Sequence, residues 1–313
     1  MMRKSFSKMG RQHDRTYITG VISMLSCDVL WGVLPIYWQA LRPIDSWVII
    51  FYRIFLVGFV SGIATLKIYG IGKVKEQLKP HGEGIMGTAL RFPIAGLLIT
   101  ANWSIYIWAV NADHVIQTCV GYYIEPLMVC VLGIIIFREK LTGYKLIAVL
   151  LALAGLVVLL IHFRQIPGIA LGLALTFATY AALKKHFDLP AIMSVFLETL
   201  FLMPPALAVV IWLECTGQGA LGVATPGKYL LLLCCGILTA APLSFFADAA
   251  TKIPLIMVGL LEYLSPSITL VIGIFFMREP FDAVQFAAFA IVWIGLAFFT
   301  YGEIKNSREN QLQ

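Results

Sequence analysis

Apolar residues run in long blocks along this chain, and short polar clusters separate them. Ten blocks stand out: 18–38, 47–68, 88–110, 115–137, 142–162, 166–184, 191–213, 229–250, 254–277 and 283–302. A helix of about 20 predominantly apolar residues crosses roughly 30 Å of hydrocarbon, so each block has the length of a membrane span. The longest gap between blocks, 69–87, is too short to hold a soluble domain. Whatever this chain does is therefore expected to happen in or at a membrane.

The blocks repeat. Pro126, Gly133, Arg138, Glu139 and Gly155 recur 140 residues later as Pro266, Gly273, Arg278, Glu279 and Gly295. Identity also holds at Ala109/Ala249, Tyr123/Tyr263 and Ile134/Ile274. Each copy carries five blocks, and an odd number makes the second copy enter the bilayer upside down. The expectation is an all-α membrane protein of ten transmembrane helices, arranged as two inverted five-helix repeats. Secondary transporters are built this way, with the site at the repeat interface. The organisation read from this is a cytoplasmic tail at 1–16, expected to be disordered, repeats at 18–162 and 166–303, and a second tail at 304–313.

Composition agrees with the blocks. Hydrophobic residues make up 60% of the chain and charged ones 13%, against about a quarter charged in soluble domains. The formal charge of +6 would suit nucleic acid, but its distribution argues for topology. With the N-terminus inside, the inner segments hold Arg3, Lys4, Lys8, Arg11, Arg15, Lys67, Lys73, Lys75, Lys79, Arg91, Arg138, Lys140, Lys145, Lys184, Lys185, Lys252, Lys305 and Arg308. Only Arg42, Arg164, Lys228 and Arg278 fall outside. That asymmetry places both termini in the cytoplasm. The first block lacks a small-residue cleavage site and is read as a retained span, not a signal peptide.

Several chemistries find no support. The six cysteines form no Cys-x-x-Cys pair, and the five histidines lie in tails or near span ends, so no metal site is read. No G-x-x-x-x-G-K-[ST] phosphate cradle, HExxH or Gly-x-Ser-x-Gly elbow occurs. No cofactor is expected and neither is enzymatic catalysis.

The informative residues are polar ones inside the spans, because a charge at mid-bilayer costs at least about 2.5–3.5 kcal/mol unless it meets a cavity or partner. Six ionisable residues lie there: Asp28, Arg53, Glu125, Glu198, Asp248 and Glu262; no lysine is read among them. Aligning Phe51-Tyr52-Arg53 with Phe196-Leu197-Glu198 sets Arg53 and Glu198 at matching points of the two repeats. They are candidates for gating or coupling, or for a structural role satisfied by carbonyls, hydroxyls or each other.

Glu125 directly precedes Pro126, and Glu262 and Tyr263 precede Ser265-Pro266. A proline removes one helix hydrogen bond and bends the helix. Pro126 and Pro266 are thus read as helix-shaping, with Tyr122, Glu125, Glu262 and Tyr263 around a central site. Block three adds Asn102, Trp103 and Tyr106, whose amide and rings suit a flat or cationic ligand; Trp108 and Asn111 fit an interface belt equally well. Block one contributes Asp28, Trp31 and Tyr37 near Gly32 and Pro35. Asp248, at the repeat position of Trp108, completes the substrate-binding candidates. Glycines such as Gly58, Gly62, Gly96, Gly155 and Gly295 are expected where helices pack closely.

These residues bring a family into view. The chain resembles the EamA-type permeases of the drug/metabolite transporter superfamily, and their RarD-like branch in particular. The resemblance rests on Trp31-Gly32 with Pro35 and Tyr37, Arg53, Asn102-Trp103, Trp108-Ala-Val-Asn111, Gly121-Tyr122 and Pro126-Leu127. It continues through Glu139, Leu171-Gly-Leu-Ala, Lys184, Glu198-Thr199, Pro204, Pro242-Leu243, Gly259, Tyr263 and Pro266. It implies ten helices in two EamA repeats, a bacterial inner-membrane location, and transport of metabolites, amino acids or drugs; the RarD branch is associated with chloramphenicol sensitivity. The chain departs from that pattern at Glu125, where Asn is typical, and at Glu262, where Gln is typical. Asp28 and Asp248 stand where uncharged residues are usual.

The expectation is a secondary active transporter working by alternating access. Five interior acids against Arg53 favour a cationic or amine-bearing solute, with protons as a candidate coupling ion. A neutral-metabolite or amino-acid exporter stays open, as does a non-transporting sensor or enzyme. The expected partners are a small-molecule substrate and the lipid bilayer, and no nucleic acid.

Overall fold

A computed structural model of the chain describes residues 2–78, 84–111, 115–141, 143–164, 168–187, 189–277 and 282–312. Among these residues there are only helices: α1 (Met2–Ala40), α2 (Ser46–Gln77), α3 (Gly84–Asn111), α4 (Val115–Phe137), α5 (Gly143–Phe163), α6 (Gly168–His186), α7 (Ala191–Leu200), α8 (Met203–Cys215), α9 (Pro226–Leu233), α10 (Cys235–Lys252), α11 (Leu255–Glu262), α12 (Leu264–Ile272), a π-helical turn (Gly273–Met277) and α13 (Ala283–Leu312). Eight helical stretches among the described residues are long and apolar enough to cross a membrane. A ninth results if α7 and α8, bent by 61° to one another, count as one span.

The breaks follow local chemistry. α7 stops at Leu200, and α8 restarts at Met203 with prolines in its first turn, where a missing N–H costs nothing. α2 runs past the end of its apolar block and changes direction at Gly70, whose φ of +75° is a conformation that favours glycine. α11 ends at Glu262 and α12 begins at Leu264, so the break falls at Tyr263, before Pro266. Pro126, its repeat mate, lies inside the unbroken α4. The matched prolines therefore do not produce matched breaks.

One expectation about the ends is corrected. α1 starts at Met2, so the segment expected to be a disordered tail is helical. Residues 2–17 contain no proline, and the helix of the first span simply extends through them. At the other end α13 continues to Leu312, so residues 304–312 are helical.

Packing in hydrocarbon cannot draw on the hydrophobic effect between helices, since lipid tails are as apolar as leucine; close fit takes its place. α4 lies along α6 and against α11, α1 along α10 and α12, and α3 along α6. α2 packs on α7 and α10, while α5 and α13 pair with each other, and α13 is the least buried of the eight candidate spans. A Cβ on Gly155 would stand 2.9 Å from the Ala288 carbonyl, and one on Gly295 would stand 3.2 Å from that of Ala148. Gly96 meets the Glu198 carbonyl so closely that α3 and α7 touch backbone to backbone. Tyr123 and Tyr263, mates at the 140-residue offset, also meet: the Tyr263 hydroxyl donates to the Tyr123 carbonyl at 2.9 Å.

Candidate functional site

Three of the predicted acids converge. Asp28 from α1, Glu125 from α4 and Glu262 at the end of α11 are all buried, and Glu262 lies within electrostatic reach of the other two. They owe this to the contacts of α11 with both α1 and α4. Asn102 stands beside Glu125, with its amide in hydrogen-bonding reach of the carboxylate. The same amide nitrogen donates to the Leu173 carbonyl at 2.9 Å and to the Thr176 hydroxyl at 3.2 Å, which ties α3 to α6. Both oxygens of Asp28 and both of Glu262 are buried with no hydrogen-bond partner among the described residues.

Aromatic rings border this cluster. Trp31 packs edge-on against Phe177 at 5.8 Å and lies tilted against Phe246 at 5.7 Å, part of a group that includes Tyr180 stacked on Phe246. Tyr106 and Tyr122 pair at 5.8 Å, and both are exposed in the bundle. Tyr263 is buried, whereas the rings of Tyr106 and Tyr122 are partly exposed.

Arg53 occupies a separate box. Its guanidinium lies 3.8 Å from the centroid of Trp103 and 5.2 Å from that of Trp38, a cation–π arrangement. Its Nε donates to the Thr239 hydroxyl at 3.1 Å. Trp103 thus turns toward α2, while its neighbour Asn102 turns toward α6. One helical step of about 100° separates them enough to serve different clusters.

Glu198 does not face Arg53. It forms an ion pair with Lys184, and both side chains are buried. Ser194 donates to the same carboxylate at 2.7 Å and Tyr180 at 3.2 Å, while Lys184 also donates to Ser194 at 2.8 Å. The expectation that no lysine joins the interior charges is therefore overturned. Lys184 sits beside Lys185 and His186 and reads as a flanking charge. The α6–α7 connection folds back, however, and carries Glu198 onto it. The resemblance had marked Lys184 without assigning it a task.

Asp248 is likewise apart from the acid cluster. It forms an i,i+4 ion pair with Lys252 at 2.7 Å and accepts from Ser23 at 2.6 Å, near the end of α10. Its charge is compensated locally, so it does not add to the central acids. Trp108 is half exposed, as a belt residue would be; the side chain of Asn111 lies outside the described residues. Among the described residues, no group of three or more His, Cys, Asp or Glu side chains could hold a metal ion.

A further acid acts at a helix end. Glu139, just after α4, accepts from the backbone N–H groups of Leu255 and Ile256, both at 2.8 Å, and so caps α11. Lys185 approaches the same carboxylate at 3.4 Å and donates to the Ile253 carbonyl at 2.7 Å. Glu279, the repeat mate of Glu139, lies outside the described residues.

The helices and their polar interior agree with what comparison finds. The EamA-like transporter family matches twice, at residues 18–161 and 167–301. The chain belongs to that family. It is 36% identical over 303 residues to "Uncharacterized transporter YojE" of Bacillus subtilis, covering 96% of this chain and 99% of the relative. It is 34% identical to "Protein RarD" of Streptomyces exfoliatus, covering 94% of this chain and 91% of the relative. "Chloramphenicol-sensitive protein RarD" of Pseudomonas aeruginosa is 27% identical, with 88% of this chain and 92% of that one covered. A solved crystal structure superposes with a TM-score of 0.67 at 15% identity, over 89% of this chain and 96% of its own, which bears on the fold alone. The protein is an EamA/RarD-type permease: a multi-pass membrane protein whose relatives are named as transporters.

Proposed function

We propose that this permease is a secondary active transporter of a small amine-bearing organic solute, working by alternating access in a bacterial cytoplasmic membrane with both termini inside. The single observation that carries the solute class is Glu125. It is a buried acid that no basic side chain compensates among the described residues, next to the Asn102 amide and the exposed Tyr106–Tyr122 pair. A protonated amine supplies the missing charge, and the rings cover its apolar part.

Ten spans follow if the buried α6 and the bent α7–α8 pair each count as one. The pairing of helices supports an inverted repeat, because the offset exchanges partners: α4 with α6 matches α1 with α12, and α3 with α6 matches α10 with α1. α5 with α13 maps onto itself, as do Tyr123 with Tyr263. A transporter of this design places its solute near the pseudo-axis.

Arg53 favours a second reading. It has no carboxylate partner among the described residues, so a solute with both an amine and a carboxylate, as in an amino acid, would engage Glu125 and Arg53 together.

Proteoliposomes decide among these readings with three radiolabelled probes: tyramine, tyrosine and chloramphenicol. Tyramine flux supports the amine reading, and flux of tyrosine without tyramine supports the second. In either case Glu125→Gln is expected to weaken apparent affinity about 10- to 150-fold, the loss of one charge-assisted contact. Flux of chloramphenicol alone, or flux indifferent to Glu125→Gln, overturns the amine assignment.

A further inference from the structure

Among the described residues, the interior acids meet a basic partner except in one place. Glu198 is matched by Lys184 and Asp248 by Lys252, and Arg53 is held by two indole rings and a hydroxyl. Asp28, Glu125 and Glu262 remain, and they differ from one another in a way that matters. Glu125 has the Asn102 amide and lies beside exposed rings. Asp28 is 0% exposed and Glu262 4%, and among the described residues none of their four carboxyl oxygens has a hydrogen-bond partner or an opening to solvent.

A carboxylate sealed in an apolar interior without a partner costs many kcal/mol, so some cation must accompany it. Three kinds of cation are available, and size separates them. An alkylammonium needs room for three donors and a carbon chain, which the closed surroundings of Asp28 and Glu262 do not provide. A metal ion needs several oxygen ligands around it, and no suitable group of side chains exists among the described residues. A proton needs no room at all.

We propose that Asp28 and Glu262 form the proton-carrying site of this transporter, separate in task from Glu125, which receives the solute. The proposal rests on the transport reading above and assigns its coupling ion. In the state described, the two carboxyls hold their protons as O–H bonds out of contact with water. When the bundle rearranges so that water reaches them, an O–H bond breaks, the proton passes to water, and a carboxylate remains. That carboxylate takes a proton from water on the opposite side before the site closes again. With Glu125 nearby, an arriving ammonium and a retained proton compete for the same electrostatic field, which is how exchange of solute for proton would be enforced.

The groups around the pair are few. α1 contributes Cys27, α4 contributes Glu125 and Cys130, α6 contributes Tyr180 on the far side of Cys27, and Tyr263, whose ring lies against Tyr123, follows Glu262 directly. On α10, Asp248 lies apart from the pair and is already bound to Lys252, and α12 carries no titratable side chain. None of these is a free base that would take the proton in place of the pair.

The test reads the proton first and the transport second. Infrared spectra of the protein in lipid, taken across a pH titration, report the carbonyl band of protonated carboxyls. Most of that band is expected to disappear in Asp28→Asn/Glu262→Gln, while Glu125→Gln removes a smaller share. A band unchanged in the double variant overturns the proposal. In proteoliposomes the ratio of tyramine uptake with a pH gradient to uptake at equal pH is expected to fall to about one in the double variant. Glu262→Asp, which keeps a carboxyl, is expected to restore a ratio above one and so separates loss of coupling from loss of fold. A ratio that survives in the double variant also overturns the proposal. If the unaltered protein moves no tyramine, the solute reading fails, and the infrared band still decides the proton site.

Discussion

The Lys184–Glu198 pair can be weighed against its own absence. Lys184→Met removes the ammonium and keeps most of the side-chain volume, leaving the Glu198 carboxylate with only the Ser194 and Tyr180 hydroxyls. Two neutral donors do not replace a cation for a group this buried. Removing one partner of a buried ion pair typically costs about 3–5 kcal/mol, because the other is left charged and uncompensated. Replacing both, in Lys184→Met/Glu198→Gln, eliminates the charges together, and such a swap is often close to neutral. The double variant is therefore expected to be more stable than Lys184→Met alone, with a coupling energy of about 3 kcal/mol or more, at the upper end of the range seen for side chains in direct contact. The assay is a double-mutant cycle on the four proteins in one detergent, using unfolding midpoints from intrinsic tryptophan fluorescence. If the two single losses simply add, the pair is not an ion pair in the folded protein, and the charge balance drawn above loses one of its terms.

Two other outcomes follow from helix ends. Glu139→Ala removes the acceptor for the Leu255 and Ile256 amides, and loss of such a cap costs about 0.5–2 kcal/mol; hydrogen exchange at those two residues should speed up with little change in α5. At α13, Asp282 accepts from the backbone N–H groups of Gln285 and Val284, both at 2.8 Å, and the Gln285 N–H above all, with the His162 ring and Val284, holds its carboxyl below the usual aspartate range. A depressed acid stabilises above its unfolded pKa, about 3.9, and that contribution is lost as pH falls through the lower folded value. Protection of the first turn of α13 is therefore expected to be flat from pH 7 to about 5 and to decline below about 4, and Asp282→Asn should abolish the decline.

Much of the architecture was legible because the bilayer permits so few solutions. An apolar block of span length in hydrocarbon is a helix, whatever its detailed sequence, and the acids inside such blocks must face one another or a cavity. That argument found Asp28, Glu125 and Glu262. It failed for Asp248 and Lys184, and for one shared reason. The sequence places a residue along its own helix but does not say what the neighbouring helix brings. Lys252, four residues from Asp248, was visible as a partner and was read only as a topology charge. Lys184 needed the fold-back of α7, for which Pro190 was the available sign. The prolines misled in the other direction. Matched positions suggested matched bends, yet α4 stays continuous around Pro126 while its counterpart breaks at Tyr263, one residue after an acid that lacks a partner.

The Glu139 cap has a mechanical meaning. α11 is a rod of eight residues, about 12 Å long at 1.5 Å per residue. One end is clamped by Glu139 and, through it, by Lys185 on α6. The other end carries Glu262, and the chain breaks immediately beyond it. Such a rod has a hinge at one end and a latch at the other. Releasing the latch strips two amides of their acceptor and frees the lever that holds the sealed acid, so both happen in a single movement. On the proton-site proposal, weakening that latch is expected to shorten the time before the buried carboxyl meets water.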